Sequence, residues 1–126
     1  MNTDEQFRDE QFRPPAATEA EVIQRLVAAD FPGKEQIADQ LRNYRVRRID
    51  EEGSLELRLT GIAPAAKVDK RIPVEAEAPD SDGIHVHFLL HVIDGFAAEL
   101  EVYKDDGTHI ERLPRPDEVK VVVLGR

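Results

Sequence analysis

Apolar residues recur at helical spacing in the first third of the chain and alternate with polar ones afterwards, and that change of period divides the fold. Val22, Ile23, Leu26 and Val27 form one stripe at the three- and four-residue interval of an amphipathic helix. Thr18 and Glu21 have the form of a capping box, which sets the expected helix start at Thr18. The stripe ends near Asp30, and Phe31-Pro32-Gly33 interrupts the chain. Ile37, Ala38 and Leu41 then predict a second helix over about 34–43. Both helices are too short to be stable alone and need a surface to pack against.

From Tyr44 the pattern is that of strands. Residues 44–49 and 54–60 flank Asp50-Glu51-Glu52-Gly53, a turn-forming cluster, and Leu55, Leu57 and Leu59 alternate with Glu56 and Arg58. Their pairing brings Arg47 near Glu56. A connector with Pro64 leads to 72–78, where Val74, Ala76 and Ala78 alternate with Glu75 and Glu77. The clearest hairpin joins 84–92 to 96–103 through Ile93-Asp94-Gly95. A two-residue turn there would pair Leu90 with Glu99 and Phe88 with Glu101, mixing polar and apolar on both faces. A three-residue loop ending in left-handed Gly95 shifts the register by one, so that Val92 faces Phe96, Leu90 faces Ala98, Phe88 faces Leu100 and Val86 faces Val102. One face is then wholly apolar, and this register is the expected one. A last strand over 119–124 carries apolar residues on both sides, the mark of an interior strand.

The elements add up to an α+β domain: two N-terminal helices packed on a meandering antiparallel β-sheet of about five to six strands. The expected division is a flexible arm over 1–17, carrying a tandem Asp-Glu-Gln-Phe-Arg repeat with Phe7 and Phe12, and a single domain over 18–126. Those phenylalanines could dock on the domain or on a second copy. Length suits one core without staples. The absence of cysteine excludes disulfides and a thiol nucleophile and fits a reducing, cytoplasmic setting. No apolar run approaches the roughly 20 residues of a membrane span. With 17 basic against 26 acidic residues the net charge is −9, which opposes nucleic acid and anionic lipid and favours a basic protein partner. A monomer or weak homodimer is expected, without cofactor.

The runs Phe31-Pro32-Gly33, Arg48-Ile49-Asp50-Glu51-Glu52-Gly53 continuing to Leu57, Pro73-Val74-Glu75-Ala76-Glu77 with Asp80-Ser81-Asp82-Gly83, His87 through Gly95, and 99–107 resemble a family of small bacterial proteins that form a domain of unknown function. The resemblance covers roughly 18–123 and implies no catalytic residue. Similar small acidic domains occur among bacterial toxin-immunity proteins, a likeness of size and charge.

Chemistry concentrates on the second face of the predicted hairpin. His85, His87 and His91 on one strand share it with Glu99, Glu101 and Tyr103 on the other. The expected register sets His87 opposite Glu101 and His85 opposite Tyr103, with His91 diagonal to Glu99; directly opposed Cβ atoms are about 5 Å apart. His85, His87 and Glu101 make a two-histidine, one-carboxylate set of the kind that binds zinc or ferrous iron. A histidine oriented by a glutamate is also a competent general base, but no nucleophile motif or phosphate loop accompanies it. The same residues equally suit an ordinary solvated strand face or a protein-contact surface. Arg42, Arg45, Arg47 and Arg48 balance Glu51, Glu52 and Glu56. Asp80, Asp82, Asp105 and Asp106 fall in two glycine-ended turns and lack the spacing of a calcium loop. The reading that follows is a non-enzymatic protein-interaction module of the kind an immunity-type protein would be, with a metal-binding domain or metal-dependent enzyme as the alternative.

Overall fold

The computed structural model describes residues 8–124, so Phe7 and most of the first repeat lie outside the described residues. Helices α1 (Ala17–Val27) and α2 (Lys34–Gln40) precede strands β1 (Tyr44–Arg48), β2 (Leu55–Leu59), β3 (Val74–Pro79), β4 (His85–Ile93), β5 (Phe96–Lys104) and β6 (Lys120–Val123), with a 3₁₀ turn at Pro116–Glu118 before the last. The strands form one antiparallel sheet in the order β1-β2-β5-β4-β3-β6. This is the α+β arrangement the periodicity predicts, with β3-β4-β5 as a meander, the β1-β2 hairpin added beside β5, and β6 added beyond β3.

The helices cover one face. Val22, Ile23, Leu26 and Val27 of α1, Phe31 of the interhelical turn and Ile37 of α2 are buried against Val46, Leu55, Val74, Ala76, Val86, Phe88, Leu90, Leu100 and Val102. Burying the four α1 side chains is worth roughly 6–12 kcal/mol in transfer free energy, which holds a helix too short to persist alone. The helix starts at Ala17, one residue before the expected Thr18. Glu19, not Glu21, turns back to accept the Ala16 N–H at 2.8 Å, because Ala16 is the cap residue and Glu19 lies three positions on, and Arg13 grips the same carboxylate with two bonds of 2.8 and 3.0 Å. The second helix ends at Gln40, short of the expected 43.

Residues 9–13 run along the outer edge of β1. The Asp9 N–H donates to the Arg48 carbonyl, and Arg13 and Val46 exchange backbone bonds of 2.9 and 2.8 Å. The Phe12 ring lies against the guanidinium groups of Arg47 and Arg58, 4.7 and 4.1 Å from its centroid, a cation–π arrangement. The arm therefore occupies part of an edge that would otherwise invite pairing with another chain.

Two strand-level expectations are corrected. β6 is an edge strand, paired only with β3 among the described residues. Its apolar residues fall on both sides because Val121 and Val123 pack against the core while Val122 pairs with Glu75, in the row that continues to Leu89, a buried side chain on the outer face. The β4-β5 register also differs. Val92 lies across from Ala97 and Ile93 from Phe96, so the turn has two residues, Asp94 and Gly95, both left-handed at φ 53° and 85°. That geometry matches the strand twist and suits an Asp-Gly pair. A β-bulge then places Ala97 and Ala98 opposite Val92, after which His91 faces Glu99, Leu90 faces Leu100 and Phe88 faces Val102. Beyond the bulge every partner is displaced by two residues from the expected pairing and each side chain keeps its predicted face, whereas beside the turn Val92 shifts by one and Ala97, not Phe96, joins the core.

The bulge is anchored by a side chain that the sequence pattern did not single out. Gln40, 2% exposed, accepts the Ala97 N–H at 2.9 Å and donates to the carbonyls of Gly95 at 2.9 Å and Pro64 at 3.0 Å. Helix α2 is thereby bolted to the hairpin turn.

Candidate functional site

Strand alternation and the observed registers leave the second face of the sheet without a helix over it among the described residues. Three cross-strand rows are found there. Lys120, Glu77, His87 and Tyr103 form one; Val122, Glu75, Leu89 and Glu101 the next; His91, Glu99, Glu56 and Arg47 the third. The predicted surface residues His85, His87, His91, Glu99, Glu101 and Tyr103 do share this face, but their contacts are new.

His87 does not oppose Glu101. It opposes and stacks on Tyr103, ring centroids 4.9 Å apart and planes 14° from parallel. Its Nε2 lies 2.6 Å from Asp105 Oδ1, and its Nδ1 lies 3.6 Å from Glu77 Oε2, beyond hydrogen-bond reach. His87 is 9% exposed, and Nδ1 is buried without a hydrogen-bond partner among the described residues. His85, nearer solvent, also points Nδ1 at Glu77 Oε2 from 3.6 Å. His91 faces Glu99 and binds Glu101 diagonally, Nε2 to Oε1 2.8 Å, while its Nδ1 accepts from Arg71 Nε at 3.1 Å. The expected metal trio of His85, His87 and Glu101 is therefore not assembled, because the two-residue displacement hands Glu101 to His91.

The structure groups the ligand-type side chains differently. Glu75, Glu77 and His87 have donor atoms within 4.8 Å of one another, as do His91, Glu99 and Glu101. A third group, Glu51, Glu52 and His109, lies off this face in loops, with His109 strongly exposed and 3.2 Å from Glu51. Glu75 and Glu77 were legible as one face of a strand, but their place beside His87 follows only from the β3-β4 pairing. Asp105 was read as a turn former and also holds the His87 ring. The acidity of the face is felt by Tyr103: burial pushes its phenol up, and the carboxylates of Glu75, Asp105, Glu101 and Glu77 push it further the same way.

Of the remaining sequence candidates, Arg47 pairs with Glu56 as expected. The two aspartate turns, by contrast, hold a buried ion pair that sequence inspection missed. Lys104, 3% exposed, reaches Asp80 at 2.9 Å and Asp82 at 2.6 Å. Asp80 also accepts the N–H groups of Ser81, Glu111 and Arg112. Burial alone would raise the Asp80 carboxyl; the ammonium and these amides outweigh it and hold the group well below the usual carboxylate range. This network ties the loop after β5 to the β3-β4 turn and so fixes Asp105 near His87. A cleft bordered by Arg13, Val22, Glu51, Phe88, Leu113 and Pro114 is elsewhere and contains none of the predicted site residues.

Among the described residues, no helix is long and apolar enough to cross a membrane. No curated protein and no solved structure matches the chain. The profile of a domain of unknown function, DUF6984, matches residues 12–114, taking in Phe12 and Arg13 at the end of the arm as well as both helices and the first five strands. The match spans most of the 126 residues, and the chain belongs to the DUF6984 family.

Proposed function

We propose that this domain is a non-catalytic binding module whose working surface is the outer face of the sheet and whose partner is a basic protein. The observation that carries the reading is the clustering of Glu56, Glu75, Glu77, Glu99 and Glu101 on one face that no helix covers among the described residues. Only Glu56 among them has an arginine or lysine within ion-pair distance among the described residues. Like charges gathered this way repel one another and are relieved by a cationic surface, which also gains encounter rate from the field. The overall charge of −9 acts in the same direction. Tyr103, exposed on this face, supplies apolar area within the acidic field, as the centre of an interface requires.

The test compares two variants that each remove four negative charges. E75Q/E77Q/E99Q/E101Q alters the sheet face; E21Q/D30N/E35Q/D39N alters exposed acids of the helical side. Binding of a labelled arginine-rich peptide is followed by fluorescence anisotropy over a salt series. The face variant is expected to lose most of the affinity and flatten the salt dependence, while the helical variant keeps both. Equal losses in the two variants would overturn the proposal, because net charge alone would then explain the binding.

A further inference from the structure

We infer that Glu75, Glu77 and His87 form a binding site for a divalent transition-metal ion, oriented by Asp105. The site shares Glu75 and Glu77 with the proposed partner surface but stands on three observations of its own. First, the three donor groups converge to within 4.8 Å of one another. Second, His87 is 9% exposed and its Nδ1, 3.6 Å from Glu77 Oε2, has no hydrogen-bond partner among the described residues. Third, two neighbouring carboxylates share the spot with no lysine or arginine within ion-pair distance among the described residues, and Glu75 has no hydrogen bond or ion pair there at all.

The proton on His87 follows from its other contact. A carboxylate can only accept, so Asp105, at 2.6 Å, requires the N–H on Nε2. In the neutral ring Nδ1 then carries the lone pair, 3.6 Å from Glu77 Oε2. A ring nitrogen whose partner N–H is donated to a carboxylate is the arrangement that orients metal-bound histidines and raises their basicity. One imidazole with two carboxylates suits zinc, manganese or ferrous iron, with water completing the shell. A buried acceptor without a donor costs free energy; an ion at this point satisfies it and neutralises both glutamates together.

The second cluster on the face does not qualify. His91 has both nitrogens engaged, Nδ1 by Arg71 and Nε2 by Glu101, and the arginine brings a positive charge where an ion would sit. This contrast supplies an internal control, since the two clusters contain the same residue types in the same sheet.

The experiment titrates the full chain with Zn²⁺ and with Mn²⁺ by calorimetry in a non-chelating buffer, alongside E77Q, E75Q/E77Q, D105N and E99Q/E101Q. One ion per chain is expected at this site. E77Q and E75Q/E77Q should weaken binding by ten-fold or more, and D105N, which acts through the ring, by about 10–100-fold. E99Q/E101Q should bind as the parent does. Long-range ¹H–¹⁵N spectra of the unaltered chain provide a readout free of any folding defect: Zn²⁺ should move the Nδ1 resonance of His87 and leave its Nε2–H in place. Absence of saturable binding, full affinity in E75Q/E77Q, equal loss in E99Q/E101Q, or a shift at Nε2 in place of Nδ1 would each overturn the assignment.

Discussion

Replacing Gln40 with leucine probes the one contact on which the β4-β5 register turns. The amide makes three hydrogen bonds: it accepts from Ala97 N–H and donates to the carbonyls of Gly95 and Pro64. Gly95 keeps a second donor, the Ala66 N–H at 2.8 Å, so leucine takes the partner from two groups, the Ala97 amide and the Pro64 carbonyl. The Ala97 amide is buried and costs about 1–3 kcal/mol when stranded, while the carbonyl of the exposed Pro64 turns to water, giving roughly 1–3 kcal/mol for Gln40→Leu. That is an appreciable share of the roughly 5–15 kcal/mol that holds a domain of this size together. Urea unfolding followed by circular dichroism should show a lower midpoint with an unchanged slope. Gln40→Glu refines the test. At neutral pH the carboxylate can accept from Ala97 but turns negative charge towards two carbonyls. Its folded-state pKa must therefore lie above its unfolded value, and the penalty should shrink as pH falls, because the protonated acid regains one donor. A leucine variant within 1 kcal/mol of the parent, or a glutamate variant whose deficit grows on acidification, would refute this account of the bulge.

Two further outcomes follow from the same framework. Gly95→Ala places a Cβ 2.7 Å from the Ala66 carbonyl oxygen and 2.8 Å from the Ala65 Cβ, at a left-handed φ of 85°; strain and overlap together should cost about 2–4 kcal/mol, read as a midpoint shift in the same assay, and a loss below 0.5 kcal/mol would contradict the crowding. For the buried pair, the depressed Asp80 carboxyl contributes stability that is present above its ordinary value of 3.8 and lost as pH falls below it. Lys104 is raised from 10.5, first by the Asp82 carboxylate, against burial and with help from Asp80, so its contribution is present below 10.5 and lost in stronger base. Thermal melts should show a plateau between these limits. Lys104→Met should fall well below the plateau of the parent, and D80N/K104M should recover part of the loss, because the uncompensated carboxylate is then gone; equal melting of the single and double variants would contradict the pairing.

How much of this was legible depends on the range of the interaction. The α1 stripe, the alternating leucines of β2 and the Arg47–Glu56 pair are encoded within a few residues of one another, and periodicity exposes them directly. The Asp50 turn is equally local: its Oδ1 accepts the N–H groups of Glu52, Gly53 and Ser54 at 3.1, 3.0 and 2.9 Å. Lys104 and Asp80, by contrast, sit 24 residues apart, and each has a sufficient local explanation, a strand-end lysine and a turn aspartate. Gln40 looks like a polar helix residue until the hairpin turn is laid beside it. Glu75 and Glu77 were recognised as a strand face, but a strand face names no neighbour. Their meeting with His87 required the β3-β4 pairing, and with it the candidate ion site moved from Glu101 to the opposite side of β4.

The register shows what a hydrophobic pattern can and cannot determine. Alternation in β4 and β5 constrains only which side of the sheet each residue takes, and any displacement by an even number of residues leaves that assignment intact. The three-residue loop and the observed two-residue turn with its bulge differ by two, so both keep Phe88, Leu90, Leu100 and Val102 inward and the histidines and glutamates outward. The discriminating signal was Asp94-Gly95, a dipeptide that favours the two-residue turn. Taken alone, that turn mixes polar and apolar residues on both faces, which argued against it. Ala98 resolves the conflict: one extra residue immediately after the turn restores the parity that the turn would break. Bulges of this kind become predictable when strong turn chemistry and strong alternation disagree by one residue. The site to search is then the first pair beyond the turn, for a small residue and a distant side chain able to receive the amide left over.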